Sequence, residues 1–370
     1  MHNFKIRTEI LEYDSLKDFI SEDPLGCDDL VLTNRFIIDK HKELFDNVKL
    51  IYQEDYGAGE PNDEMIDAIK DDMPNGIKRI IAIGGGSIID IAKFLLIDYD
   101  GTLDDILIGD TDFKKTRSLY VIPTTVGTGS EVTNVAITEL KKRKSKKGLA
   151  NDLLYPDKAI LVSDLVSTLP YKVFATSSLD ALIHAIESFL SPKANELTRL
   201  FSKEAIKDIL NGYMYVRDNG LDHWKDKART FLLASNMAGI AFGNAGCALI
   251  HALSYPLGAK YHIAHGEANG LLFERVIKFY MDNDNNSQLN ILEKYLKEVL
   301  MCDDNGFKNM FELINVIIKR KALIEYGVTV DDLEPFVDIV INSQQRLLNN
   351  NYIKAKRQDM LMIYKDILDK

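Results

Sequence analysis

The chain has 370 residues, of which 46% are hydrophobic and 27% are charged, and its formal net charge is −11. This length allows two domains with a large core, and the composition is that of an ordinary globular protein. The negative charge argues against general affinity for nucleic acids or anionic membranes, and no apolar run approaches the roughly 20 residues of a membrane span.

The N-terminal part reads as strands that alternate with helices. Residues 1–28 are mixed, with an early strand and a short helix, and DLVLTNRF at 29–36 predicts a buried strand. Asn34 ends that strand, where open α/β sheets bind ligands, although, taken alone, a simple turn residue is the favoured interpretation. Residues 48–54 predict another strand, and an amphipathic helix follows from Pro61.

A glycine-rich turn follows in RIIAIGGGSIIDIAKFLL, residues 79–96. Ile80 to Ile83 predict a strand buried on both faces, and Ser87 opens a helix. Free amides and the helix dipole would face an anion at the three glycines between them, which is typical of pyrophosphate binding. The pattern is not GxGxxG, and three glycines also make a tight structural turn. Asp90 lies one turn into the helix, close to the path of a bound cofactor.

A second polar turn follows the strand predicted at 118–122. Its sequence, PTTVGTGSE at 123–131, is dense in hydroxyl groups and glycines that can bind phosphate or ribose. A capped polar loop is the alternative, and the neighbouring glycine turn favours the binding interpretation. The strand at 159–163 closes the strand-rich part of the chain, which ends near residue 170.

The only dense basic run is KKRKSKK, Lys141 to Lys147. Such runs are usually solvated loops or hairpin tips. A nucleic-acid role is disfavoured because the rest of the chain is acidic and no aromatic residues interleave with the lysines.

Beyond Tyr171 the chain predicts helices to its end. They cover 175–190, 196–216, 224–241, 246–254, 267–281, 287–300, 307–319, 331–348 and 356–368. The sequence therefore predicts a Rossmann-like α/β nucleotide-binding domain at 1–170, followed by an all-helical metal-binding and substrate domain at 171–370.

Three histidines and one carboxylate in the helical part indicate a divalent metal. Asp180 and His184 are four residues apart, so they share one helix face. His251 lies on a second helical stretch and His265 follows a loop. Imidazole nitrogen and carboxylate oxygen suit iron, zinc, manganese or nickel, and the absence of a clustered cysteine argues against a closed structural zinc site.

The boundaries of these helices have sequence signals. Ser177 or Ser178 is expected to be the N-cap of the helix of Asp180. Pro256 and Gly258 are expected to end the helix of His251.

The spacing of the cysteines indicates the redox state of the cellular compartment. Cys27, Cys247 and Cys302 are isolated from one another, and the charged N-terminus lacks the apolar core of a signal peptide. A reducing cytoplasm and no disulfide framework are expected.

Four motifs occur in the order used by the iron-containing, group III alcohol dehydrogenases: GGGSIIDIAK, PTTVGTGSEV, LDALIHAIES and HALSYPLGAKYHIAHGEAN. The resemblance covers nearly the whole chain. The detail HALSYP…YH…HGEAN and the C-terminal QQRLLNNNY resemble most the 4-hydroxybutyrate dehydrogenases of that family. The family resemblance implies an NAD-dependent oxidoreductase that moves hydride between the cofactor and a primary alcohol or aldehyde, here 4-hydroxybutyrate and succinate semialdehyde. It also implies a homodimer or larger homo-oligomer.

The resemblance assigns roles residue by residue. The implied ligands of Fe(II), or of zinc as in some relatives, are Asp180, His184, His251 and His265. The implied pyrophosphate contacts are Gly85, Gly86 and Ser87, and the implied contacts to the phosphates and nicotinamide ribose are Thr124, Thr125 and Thr128. Asp90 is implied near the nicotinamide, and Lys147 beside the cofactor. Asn34 stands where many members carry an aspartate that disfavours the 2′-phosphate of NADP, so that electrostatic argument for NAD is missing here.

Two departures from the family pattern affect the chemistry. Many members carry a histidine, thought to assist proton transfer, where this chain has Tyr255; its phenol has an ordinary pKa of about 10. His262 is the alternative proton relay. TSSLDA replaces the commoner ATGMDA before Asp180, which changes packing more than ligation.

A carboxylate-bearing substrate needs a cation or several hydrogen-bond donors. Arg346, Lys260, His262 and Asn350 are the candidates, and a salt bridge is the alternative explanation of Arg346. Three other functions stay open. They are a zinc-dependent glycerol- or diol-type polyol dehydrogenase of the same fold, a lyase of the dehydroquinate synthase type, and a non-catalytic nucleotide-sensing or nucleic-acid-binding protein that uses the basic run.

Overall fold

The structure is a computed structural model that describes residues 3–57, 59–109, 112–143, 145–284 and 287–369. Lys144, within the basic run, therefore lies outside the described residues. The chain divides into two compact units. One comprises Lys5–Leu169, and the other comprises Pro170–Lys370 together with the N-terminal residues up to Phe4.

The first unit is built on a parallel sheet. Its strands are Glu9–Tyr13 (β1), Asp29–Thr33 (β2), Lys49–Tyr52 (β3), Arg79–Gly84 (β4), Ile97–Asp98 (β5), Lys114–Lys115 (β6), Ser118–Pro123 (β7), Val135–Leu140 (β8), Ser145–Ala150 (β9) and Lys158–Val162 (β10). Six of them form the main sheet in the order β1-β10-β7-β4-β2-β3, with every pair parallel. The two short pairs β5–β6 and β8–β9 are antiparallel.

Helices connect and cover these strands. They are Leu16–Glu22 (α1), Arg35–Ile38 (α2), Asp63–Asp72 (α3), Gly86–Leu95 (α4), Leu103–Ile108 (α5) and Ser163–Val166 (α6). Alternate residues of a central strand point to opposite faces. Ile80 of β4 accordingly joins one hydrophobic cluster and Ile81 joins another. Burial on both faces is what the continuous apolar run of β4 predicted. Strands β8 and β9 were not predicted individually, but a hairpin tip was one of the two interpretations of the basic run, and the run begins where these two antiparallel strands are joined.

The register of the sheet aligns the ends of the central strands. Thr33 of β2 pairs with Ile83 of β4, and Gly84 of β4 pairs with Pro123 of β7. Both polar turns predicted from the sequence therefore begin at the same carboxyl edge, which is where open α/β sheets bind ligands.

The second unit is helical. Its helices are Tyr171–Leu190 (α7), Glu196–Asn219 (α8), Ala228–Ala245 (α9), Leu249–Tyr261 (α10), His265–Asn283 (α11), Ser287–Leu300 (α12), Gly306–Ile317 (α13), Val330–Ser343 (α14), Gln345–Leu348 (α15) and Arg357–Asp366 (α16). Together the two units confirm the predicted fold class, a Rossmann-like α/β part followed by an all-helical part.

Two predicted helix boundaries are wrong. Helix α7 begins at Tyr171 after Pro170 at the N-cap, and Ser178 is inside it, donating to Ala175 O (3.3 Å). Helix α10 does not end at Pro256 but continues to Tyr261. An internal proline removes one hydrogen bond, and the buried Leu253 and Leu257 on either side keep the helix packed.

Helix α7 also corrects the expectation about apolar runs. It is long and apolar enough to cross a membrane by length and composition, but 89% of its apolar window is buried within the protein. Such burial is typical of a core helix. A charged or polar residue on it, such as Asp180, is therefore held inside the unit rather than exposed to solvent.

Candidate functional site

Asp180, His184, His251 and His265 converge in the helical unit. Each offers one ligand atom, and these four atoms lie within 4.8 Å of one another. His184 Nε2 is 2.9 Å from His251 Nε2, and Asp180 Oδ1 is 3.8 Å from His251 Nε2 and 3.9 Å from His265 Nε2. Helices α7, α10 and α11 supply them, so His265 begins a helix rather than lying in a loop.

The close approach of α11 to α7 explains how His265 reaches Asp180. Gly266 follows His265, and a Cβ atom there would lie 2.4 Å from Thr176 O and 3.2 Å from Asp180 Cβ. One turn later, a Cβ on Gly270 would lie 2.7 Å from Leu179 Cδ2. Only glycine allows two helix backbones to come this close. The glycines therefore help set the position of the fourth ligand.

Glu187 is a functional residue that the sequence analysis missed. Its carboxylate is 2% exposed and accepts hydrogen bonds from the backbone N–H of Ala248 (2.9 Å) and Ile250 (2.8 Å). The same carboxylate lies 2.6 Å from His251 Nδ1. It therefore caps the N-terminus of α10 and fixes the His251 ring at once. Its spacing was a usable signal, because Glu187 follows His184 by three residues on the same helix face.

The Glu187 contact sets the chemistry of His251. A carboxylate this close favours a proton on Nδ1, which leaves the Nε2 lone pair directed at the other ligands. Burial acts to lower the pKa of His251, but Glu187 outweighs it and raises that pKa above its ordinary value. A carboxylate behind a histidine is the usual second partner of a metal-binding imidazole.

Asn269 is the other missed residue. It lies four residues after His265 on α11 and is fully buried. Its Nδ2 donates to Asp180 Oδ1 (2.7 Å) and lies 3.2 Å from His265 Nε2. Within the described part of the chain, its Oδ1 has no hydrogen-bond partner. An unpaired buried amide oxygen beside the quartet marks a place that needs a polar occupant.

The charges of the quartet suit a cation. Burial acts to raise the pKa of Asp180, but the three histidines outweigh it and hold the pKa below its ordinary value. The His184 ring is held by stacking on Phe242, with ring centroids 4.3 Å apart. One ionised oxygen and three imidazoles, with the amide oxygen of Asn269 beside them, fit iron or zinc and leave a position for a substrate.

The two predicted proton relays lie at different places. Tyr255 is one turn after His251 on α10, and its ring lies 6.1 Å from that of His265. His262 caps the C-terminus of α10 with a left-handed backbone (φ 53°) and an exposed side chain. The geometry places Tyr255 beside a ligand, whereas the structure gives His262 no contact with the quartet. Their catalytic roles stay predictions.

The candidates for a substrate carboxylate separate in the structure. Lys260 is ion-paired with Asp332. Asn350 is buried and donates to the carbonyls of Ala245 (2.8 Å) and Cys247 (3.1 Å), so it holds the turn before α10. Arg346 is exposed, and among the described residues it has no ion pair or hydrogen bond.

The glycine turn of the α/β unit is covered by the second polar turn. A Cβ on Gly86 would lie 2.7 Å from Thr128 Cγ2, and a Cβ on Gly85 would lie 3.1 Å from Thr125 Cγ2. Thr124 N–H donates to Gly84 O (3.1 Å), which ties the two turns together. The residues described include no hydrogen-bond partner for the buried Thr125 Oγ1. An orphan hydroxyl beside a helix N-terminus fits a phosphate-bearing cofactor.

Helix α4 begins at Gly86, one residue before the predicted Ser87. Asp90 on that helix is turned toward protein groups. It accepts hydrogen bonds from Ser130 Oγ (3.0 Å) and Ile137 N (3.1 Å), and burial raises its pKa to about 6. Lys93 is fully buried and donates to Ser130 Oγ (2.9 Å). These contacts anchor the second polar turn, so direct contact of Asp90 with a cofactor stays a prediction.

The remaining predicted positions lie at the margins of this unit. Asn34 follows β2 directly, and its Nδ2 donates to Gln53 Oε1 (3.4 Å). Lys147 is exposed on β9, opposite Thr138. Around the basic hairpin turn, Arg143 is paired with Asp104 (2.8 Å) and Lys146 with Glu60. These acidic partners reduce the positive charge that the run presents.

Two family models match the chain. The model for iron-containing alcohol dehydrogenase matches residues 14–163, and the model for the C-terminal part of the Fe-containing alcohol dehydrogenase family matches residues 174–368. Together they cover the glycine turn and all four predicted metal ligands.

Individual proteins are similar as well. The 4-hydroxybutyrate dehydrogenase of Clostridium kluyveri is 44% identical over 370 residues, covering 99% of this chain and 100% of the relative. The sulfoacetaldehyde reductase of Bilophila wadsworthia is 31% identical over 305 residues, covering 78% and 76%. The crystal structure of the sulfoacetaldehyde reductase from Bifidobacterium kashiwanohense in complex with NAD+ has a TM-score of 0.85 at 22% identity, covering 100% and 99%. The chain belongs to the iron-containing alcohol dehydrogenase family.

Proposed function

We propose that this protein is a metal-dependent, NAD-linked oxidoreductase that interconverts a small primary alcohol carrying a carboxylate and its aldehyde, with 4-hydroxybutyrate and succinate semialdehyde as the pair. The observation that carries the proposal is the convergence of Asp180, His184, His251 and His265 within 4.8 Å, backed by Glu187. Family membership supports oxidoreduction and favours iron over the zinc-dependent polyol alternative.

The four residues of the quartet would hold Fe(II). When bound, this metal would supply Lewis-acid stabilisation of charge on the alcohol or carbonyl oxygen. Glu187 would orient His251 through Nδ1, and Asn269 would orient Asp180 through its 2.7 Å hydrogen bond. The low exposure of Asp180, His184 and His251 excludes bulk water, which strengthens electrostatic interactions with a reacting oxygen.

Proton transfer falls to Tyr255 in this proposal, with His262 as the alternative. The Tyr255 ring lies 6.1 Å from the His265 ring, whereas the structure gives His262 no contact with the quartet. A phenol hydroxyl in this place can donate a hydrogen bond to a substrate oxygen and can pass its proton toward a stronger base.

The cofactor would bind at the glycine turn of the α/β unit. Gly85, Gly86 and Ser87 would present backbone amides to the pyrophosphate, and Thr124, Thr125 and Thr128 would donate hydroxyl or backbone hydrogen bonds from the opposing turn. Asp90 supports that turn through Ser130. The nicotinamide would supply hydride transfer. A solved relative of the same fold contains NAD+, which supports this choice of cofactor.

Arg346 is the proposed anchor of the substrate carboxylate. Four residues after it, Asn350 bonds the backbone of Ala245 and Cys247, immediately before the helix that carries His251. Helix α15, which bears Arg346, thus packs against α10, and the Arg346 guanidinium is unpaired among the residues described. Two relatives support an anionic substrate, because 4-hydroxybutyrate and sulfoacetaldehyde both carry an acidic group.

Compartment, oligomeric state and partners are part of the same proposal. We place the protein in the cytoplasm as a soluble homodimer or larger homo-oligomer that acts on a small molecule and on neither nucleic acid nor membrane. The isolated cysteines support a reducing compartment, and the net charge of −11 argues against nucleic-acid and anionic-membrane partners, while the oligomer rests on the family resemblance alone.

The test of the substrate compares aldehydes. NADH oxidation is followed anaerobically with succinate semialdehyde and with butanal, in the wild type and in Arg346→Met. We expect the variant to raise KM for the semialdehyde by about tenfold to a hundredfold, the loss typical of a charged hydrogen bond, while butanal changes little. Exposed Arg217→Met on α8 is the matched control. Equal losses on both aldehydes would remove Arg346 from this role, and faster turnover of glycerol by the wild type would favour the polyol function.

A further inference from the structure

The carboxyl edge of the sheet extends past the glycine turn to β2 and β3. Thr33 pairs with Ile83 on one side and with Tyr52 on the other. The next residues of these strands, Gly84, Asn34 and Gln53, are therefore neighbours along one edge. A dinucleotide held at the glycine turn passes its adenosine ribose along such an edge. In this fold type an acidic residue there binds the ribose 2′-hydroxyl of NAD, whereas an arginine accepts the 2′-phosphate of NADP.

By sequence alone this edge looks suited to NADP. Asn34 has no charge, and Arg35 follows it directly. The structure gives a different answer, because Arg35 Nη2 donates to both carboxylate oxygens of Asp55 at 2.6 Å. The guanidinium carbon also lies 4.0 Å from the centre of the Tyr52 ring. The cation of Arg35 is thus neutralised and held in place by the end of β3.

A second carboxylate comes from the same segment. Glu54 Oε1 accepts a hydrogen bond from Arg35 N (3.1 Å), at the start of α2. Among the residues that the structure describes, no cation forms an ion pair with Glu54. A second cation in this segment, Lys42, is paired with Asp39 (2.9 Å). The group contains two cations and three carboxylates, so its net charge is negative.

We propose that Glu54 and Asp55 make this protein selective for NAD over NADP, replacing from β3 the carboxylate that Asn34 lacks. Asp55 occupies the one arginine that a 2′-phosphate would use, and Glu54 adds a negative charge at the end of β2. A phosphate group carries nearly two negative charges at neutral pH and is repelled by such a surface. The uncharged ribose hydroxyl of NAD meets no such penalty and can donate to a carboxylate. The inference rests on the proposed cofactor site.

Direct binding tests the inference without turnover. The dissociation constants of NADH and NADPH are measured by the change in nucleotide fluorescence, with no aldehyde present. The proteins are the wild type, Glu54→Gln, Asp55→Asn and the double variant. Glutamine and asparagine keep the shape and an acceptor oxygen, so the fold is retained. We expect the wild type to bind NADH more tightly, and the double variant to improve NADPH binding relative to NADH by about tenfold, or about 1.4 kcal/mol.

Two further variants make the result specific. Adding Arg35→Met to the double variant should abolish the gain in NADPH affinity, because the released guanidinium is its source. Asp104→Asn removes a carboxylate paired with Arg143 elsewhere in this unit and should leave the preference unchanged. An unchanged preference in the double variant with NADH binding intact would overturn the inference alone. Failure of the folded wild type to bind either nucleotide would overturn the proposed function as well.

Discussion

Glu187→Gln isolates the contribution of the carboxylate behind His251. Glutamine has nearly the same volume, so the change removes charge and one acceptor without opening a cavity. Glu187 accepts two backbone hydrogen bonds from Ala248 and Ile250 and contacts His251 Nδ1 at 2.6 Å. Glutamine has one acceptor oxygen, so its NH2 group must face at least one of these N–H donors.

The expected size follows from these contacts. A charge-assisted hydrogen bond contributes about 1.5–3 kcal/mol, and about 1.4 kcal/mol corresponds to a tenfold change in an equilibrium constant. Loss of the contact to His251 Nδ1 should weaken metal binding by about tenfold to a hundredfold, as for other partners of metal-binding histidines. Loss of a hydrogen-bond acceptor for the backbone N–H groups at the N-terminus of α10 should also lower the free energy of unfolding of the metal-free protein by about 1–3 kcal/mol.

The assay separates these two effects. Metal affinity is measured anaerobically by competition with a chelator, and stability by urea unfolding of the metal-free protein. Glu204→Gln on α8 is the matched control, since Glu204 is half-exposed and paired with Lys207. Metal affinity of Glu187→Gln equal to that of the wild type would refute the argument that this carboxylate orients His251.

Three other substitutions test the metal site, the packing of two helices and the pH dependence of stability. Asn269→Leu removes the hydrogen bond to Asp180 together with the unpaired amide oxygen. Metal affinity, measured by chelator competition, should therefore fall about tenfold. The stability of the metal-free protein, measured by urea unfolding, should change little. Gly266→Ala places a Cβ against Thr176 O and should cost about 1–3 kcal/mol of stability, measured by urea unfolding. Burial lowers the pKa of Lys93 to about 8 from its ordinary 10.5. Between these two pH values the unfolded chain binds more protons than the folded protein, so the free energy of unfolding should rise with pH. Lys93→Met should lose this rise in unfolding curves measured at a series of pH values.

The sequence was most informative where function depends on local spacing. Asp180 and His184 share a helix face because they are four residues apart, and the structure brings them together with His251 and His265. The same rule would have found Glu187. The apolar run at 80–83 also predicted strand β4, and the glycines after it predicted the turn at the carboxyl end of that strand.

Other features depend on contacts between distant parts of the chain. The hydrogen bond between Asp90 and Ser130 spans 40 residues, and nothing local indicates that the carboxylate supports a loop. The continuation of α10 through Pro256 reflects packing of the neighbouring leucines, which outweighs the local tendency of proline to end a helix. The negative charge at the end of β2 is supplied by Glu54, 20 residues after Asn34, so only the register of the strands reveals it.

The central claim is that the quartet holds the metal on which hydride transfer depends. It is tested most directly by adding Fe(II) anaerobically to metal-stripped protein while NADH oxidation by succinate semialdehyde is followed. We predict negligible turnover without metal and a rate that rises until about one equivalent per chain is bound, with no such rise in folded His184→Ala. Undiminished turnover by the stripped protein, or full restoration of His184→Ala by one equivalent, would contradict the claim.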